Sequence, residues 1–76
     1  MFDRITFNPA IMGGRACIRG MRITVSLVVN LVANGMTTDA IVREYPDLEA
    51  EDVRQALAYA SALANEEIRF FTSPAA

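Results

Sequence analysis

The stretch GGRACIRGMRITV, residues 13 to 25, gathers three glycines and three arginines into thirteen positions. Guanidinium forks bind phosphate or carboxylate through paired hydrogen bonds. Arg15, Arg19 and Arg22 are therefore candidates for gripping an anion, with DNA the obvious polyanion. A nucleotide-binding P-loop fits poorly. That motif ends in Gly-Lys-Ser/Thr and opens a helix, whereas this chain has no lysine and places Met21 and Arg22 after Gly20. The same glycines also serve turns, and Ile18, Ile23 and Val25 serve a core.

Reactive chemistry is scarce elsewhere. The chain holds one cysteine, Cys17, and no histidine. Neither a Ser-His nor a Cys-His nucleophile system can be assembled from it. Nor can a disulfide framework, and a metal site would need carboxylates alone. The neighbouring acids Glu51-Asp52 and Glu66-Glu67 diverge by about 100° on a helix, so they make no catalytic pair. Cys17 beside Ile18 reads as a small buried hydrophobe. The expectation is a protein with no catalytic residues, no metal and no cofactor.

Size and charge point to partners instead. A domain of 76 residues hides only about 60% of its unfolded surface. Yet 53% of the residues are hydrophobic. A homodimer or a permanent protein partner would bury the surplus. Arginines outnumber acids four to one over residues 1–24, a local charge of +3, while residues 39–76 carry three arginines and eight acids, a local charge of -5. The basic front suits an anionic partner or head-to-tail pairing. The N-terminal MFDRITFNP has an acid and an arginine where a secretion signal needs an apolar run. The longest apolar stretch, from Val25 to Ala33, is too short to span a bilayer. A cytoplasmic protein with no membrane partner is expected.

Three layers of pattern position these residues within one domain. Residues 1–24 read as short strands and turns: RITF up to Asn8-Pro9, then ACI and MRITV as a hairpin around Gly20. Residues 25–65 read as three helices. Val25, Val28, Val29 and Val32 repeat at helical spacing, with Thr24 as the cap and Asn34-Gly35 as the stop. Thr37 starts a second helix that Pro46 ends. A third begins near Ala50 and reaches Asn65 or beyond, burying Val53, Ala56, Leu57, Ala60, Leu63 and Ala64, with Arg54 and Gln55 on the opposite face. The short YPDL turn between the last two makes a helix-turn-helix unit, with Leu48 as its staple. Residues 66–76 form an apolar tail. The expected fold is mainly α: a three-helix, homeodomain-like bundle behind short N-terminal strands.

GGRACIRGMRITV followed by NGMTTDAIVREYPDLEAEDVRQALAYA resembles the bacterial family called domain of unknown function 433. The likeness runs from about Arg4 to Ala60 and rests on the Gly-x-Arg-Ile stretch, the Gly-Met turn, the Tyr-Pro-x-Leu turn and the Ala-Leu-x-Tyr helix. This chain departs from the pattern at Arg15, Ala16, Met21 and Thr24, and it has Glu49 where the third helix is often capped by Ser or Thr. The resemblance implies a homeodomain-like fold and an antitoxin of the VapB kind, partnered by a PIN-like nuclease toxin. It also implies that an arginine enters the toxin's carboxylate cluster, for which Arg69 is the candidate.

Two functions are then weighed. In a DNA reader the start of the second motif helix meets base edges. Here that start is LEAEDVRQ, where Glu49, Glu51 and Asp52 oppose a polyanion and only Arg54 and Gln55 could read bases. The acids also suit the helix dipole. A stand-alone helix-turn-helix regulator is the alternative; it would bind DNA through Arg15, Arg19, Arg22, Arg54 and Gln55. The favoured expectation is an antitoxin that binds a PIN-like toxin through Ile68, Arg69, Phe70 and Phe71, and that represses its own operon as a secondary role. An extended apolar segment of that kind docks in a partner's groove.

Overall fold

The structure, a computed structural model, describes residues 2–72, with side chains through Asn65. Strand β1 (Ile5–Phe7) pairs antiparallel with β2 (Ala16–Ile18), setting Ile5 opposite Ile18, Thr6 opposite Cys17 and Phe7 opposite Ala16. The expected hairpin between ACI and MRITV forms in short form: the Ile18 amide donates to the Ile23 carbonyl at 2.9 Å and an isolated antiparallel bridge joins Cys17 to Thr24, while the longer ladder runs between ACI and RITF. The turn around Gly20 does form. The Met21 amide donates to the Ile18 carbonyl at 2.8 Å, and both central residues, Arg19 (φ 46°) and Gly20 (φ 72°), take positive φ, as a type I′ turn requires. The strand beyond the turn stops at once because Thr24 is needed to start a helix.

Helix α1 (Val25–Ala33) begins where Thr24 Oγ1 accepts the Leu27 amide at 3.1 Å. It ends in a Schellman motif: the amides of Gly35 (φ 96°) and Met36 donate to the carbonyls of Val32 and Leu31. Helix α2 (Thr38–Glu44) is capped by Thr37 Oγ1, which accepts the Ala40 amide at 3.1 Å, and stops at Tyr45 before Pro46. Leu48, buried under the following turn, leads into α3 (Ala50–Thr72). The observed fold is thus mainly helical, with a two-stranded antiparallel ribbon at its N-terminal end. Ile18, Val28, Ile41 and Val53 are completely buried at its centre, ringed by Ile5, Val25, Leu48 and Ala56. Each full burial of this kind is worth about 2 kcal/mol.

Helix α3 departs from expectation on both faces. Val53 and Ala56 are buried as expected, but Leu63 is 50% exposed and Ala64 is exposed, because the body of the domain ends before they are reached. On the supposedly outward face Gln55 is 5% exposed and Asp52 is fully buried. The N-terminal segment lies over that side. The backbone of 66–72 continues α3, so Ile68, Arg69, Phe70 and Phe71 belong to a helix and not to an extended tail. Their side chains lie outside the described residues, as does the whole of 73–76.

Candidate functional site

Among the described residues, side-chain hydrogen bonds concentrate at the start of α3, and Asp52 is their centre. Glu49 precedes the helix, and its amide donates to Asp52 Oδ2 at 2.8 Å. That is the returning half of a capping box, and it offsets the missing Ser or Thr cap at Glu49. Two arginines converge on the same carboxylate. Arg19 forks onto it, Nε to Oδ1 at 3.0 Å and Nη2 to Oδ2 at 2.8 Å, and also donates to the Asp47 carbonyl at 2.7 Å. Arg4 donates through Nη1 to Asp52 Oδ1 at 3.0 Å and to Glu49 Oε1 at 2.6 Å. Arg19 holds a left-handed backbone conformation that a non-glycine residue adopts at a cost. The fork onto Asp52 is the compensating contact.

Gln55, one turn further on, completes the seam. Its Oε1 accepts the Arg4 amide at 3.0 Å, and its Nε2 donates to Asp3 Oδ1 at 2.7 Å and Glu51 Oε2 at 3.0 Å. The residues that would face a DNA groove are thus turned to holding residues 3–4 against α3. The electrostatics agree. Burial opposes the charge on Asp52, but hydrogen bonds from Arg19, the Glu49 amide and Arg4 outweigh it and hold its carboxyl at about 2. Hydrogen bonds from Arg54 and Gln55 bring Glu51 to about 2 as well. The bonds to Glu49 and Asp52 raise Arg4, and the bond to Asp52 raises Arg19.

The arginines and glutamine expected at a DNA surface therefore part company. Arg19 and Gln55 are committed to the fold. Arg19, expected from the glycine-arginine stretch as an anion-gripping fork, and Gln55, expected from its place on the third helix as a base reader, bond instead to groups of the fold 33 and 51 residues away in sequence. Arg54 is exposed but paired with Glu51. Arg15 and Arg22 are exposed and make no ion pair among the described residues. No group of three or more His, Cys, Asp or Glu among the described residues could hold a metal. No described helix is long and apolar enough to cross a membrane.

A second feature went unread in the sequence. A groove of about 530 Å³ runs between the β ribbon, α1 and α3. Phe7 and Ala16, opposite each other in the ribbon, form one side; Val25 and Val29 of α1 form the floor; Tyr59, Ala60 and Leu63 of α3 form the other side. Tyr59 packs edge-to-face with Phe2 (ring centroids 5.4 Å apart) and tilted against Phe7 (6.1 Å). Few polar groups point in. Thr24 Oγ1 caps α1 and shares a hydrogen bond with Ser26 Oγ. A small polar ligand would find little to orient it, whereas an apolar side chain would find Phe7 58% and Leu63 50% exposed. The sequence signal for it was Phe7, two residues from buried Ile5 and so on the same strand face, but beyond the core's edge.

The family model described as "Protein of unknown function (DUF433)" matches residues 5–60. The uncharacterized protein y4eO of Sinorhizobium fredii (strain NBRC 101917 / NGR234) is 38% identical over 58 residues, covering 76% of this chain and 26% of that protein. The chain thus spans about a quarter of that relative's length. The crystal structure of a DUF433 member from Anabaena variabilis ATCC 29413 superposes with a TM-score of 0.76 at 31% identity, over 88% of this chain and 66% of that one.

Proposed function

The chain belongs to the DUF433 family, and from that premise we propose that it is a non-catalytic, cytoplasmic antitoxin that binds and neutralises a PIN-like nuclease. The observation that carries this reading is the closed start of α3. A DNA-reading helix presents free donors at its N-terminal turns. Here Asp52 and Gln55 are buried in bonds to residues 3, 4 and 19, and Glu51 pairs with Arg54. The cations at this end, Arg4, Arg19 and Arg54, are all paired with carboxylates, which leaves a polyanion little to grip there. The apolar exposure of Phe7 and Leu63 supports the same choice. The part assigned to the toxin is the end of α3, where Arg69 would offer a guanidinium to the carboxylates that hold the nuclease's metal.

The test is co-purification. The tagged chain, drawn from its own host with nucleic acid digested away, is expected to bring down a PIN-like nuclease whose cleavage activity it inhibits. Replacing Phe70 and Phe71 together with alanine is expected to weaken that complex by about tenfold or more, the scale of an aromatic anchor. Recovery of DNA but no nuclease would favour the regulator instead.

A further inference from the structure

The groove ends at Leu63 of α3. Every residue from Ser61 to Asn65 is exposed, and the backbone of α3 runs on to Thr72.

We infer that the groove is the seat of a second copy of this chain. In a two-fold dimer, α3 from Ser61 to Glu67 in each protomer lies along the Phe7–Val29–Tyr59 groove of the other, leaving Ile68 to Phe71 to the nuclease of the preceding reading. A two-fold interface must carry both a knob and the hole that fits it on one surface. This surface does: a concave apolar groove and, continuous with it, α3 from Ser61 to Asn65, exposed throughout. Leu63 sits at the junction, next to the two-fold axis. Arg15 on the groove wall has no ion pair among the described residues, and the entering segment reads Asn65-Glu66-Glu67 in sequence. The charges are complementary. The inference goes beyond the nuclease reading and stands without it.

Sedimentation equilibrium on the full chain, from micromolar to submillimolar concentration, tests it. The expected mass is twice the 8.3 kDa of one chain. Leu63→Glu and Phe7→Ser, both at exposed positions, are expected to keep the native circular dichroism spectrum and to raise the dimer dissociation constant about tenfold or more. Met12→Ser removes an exposed apolar group outside the groove and is expected to leave the constant unchanged. In a mixture of isotope-labelled and unlabelled chains, intermolecular contacts are expected from the Val29 methyls to α3 of the other copy. A monomer at every concentration overturns the inference, as does a dimer that survives both groove substitutions or shows no contact to Val29. A monomer that still captures a PIN-like nuclease would leave the antitoxin reading intact; a dimer that captures none would do the reverse.

Discussion

Asp52 is where charge, capping and chain topology meet in one side chain. Its carboxyl lies at about 2 in the folded protein, against an ordinary value of 3.8. A depressed carboxylate stabilises the fold above its unfolded pKa, and that stabilisation is lost as pH falls through the folded pKa. The contribution is about 2 kcal/mol above pH 4, declining between about pH 4 and pH 2. Asp52→Asn is expected to lower stability by about that amount at neutral pH and to flatten the acid limb of the pH profile, as read by urea melts at successive pH values. Asp52→Ala should cost more, about 3 kcal/mol, because Arg19 and Arg4 lose their shared partner. Gln55→Ala strands the Arg4 amide, so it should cost about 1–3 kcal/mol. A helix face read from spacing alone assigns Gln55 to solvent; thermal melts of that variant distinguish the two placements.

The elements differ in how far their own sequence specifies them. Helices α1 and α2 were legible because each is bounded by local chemistry: Thr24 and Thr37 as caps, Asn34-Gly35 and Pro46 as stops. Thr24→Ala should therefore cost about 1 kcal/mol, and chemical denaturation measures it. The ribbon was legible only in part. RITF and ACI read as strands, but their pairing with each other joins segments separated by a loop that carries no hairpin signal, and the ion pairs from Arg19 to Asp52 and from Arg4 to Glu49 that tie the ribbon to α3 are announced by no local pattern. Helix α3 was legible in its start and its buried Val53 and Ala56. Its polar side was misread because the segment that covers it comes from the other end of the chain. Leu63 was misread for the opposite reason: the apolar spacing continues where the domain beneath it does not.

At the scale of the whole molecule, a basic front and an acidic back are largely reconciled inside one fold. Arg4 and Arg19 from the front neutralise Glu49 and Asp52 from the back. The helix-turn-helix framework is retained, but Asp52 and Gln55 at the start of its last helix are bonded within the domain. The exposed apolar side chains of Phe7 and Leu63 are what the proposed partner-binding readings draw on. Fluorescence anisotropy of the isolated full chain, titrated onto a labelled duplex from upstream of its own coding sequence at physiological salt, is the sharpest check. Weak binding, indifferent to sequence and to Arg54→Ala, is expected. Tight, sequence-specific binding that Arg54→Ala abolishes would mean that the start of α3 is open to DNA after all, and would contradict the closed seam around Asp52.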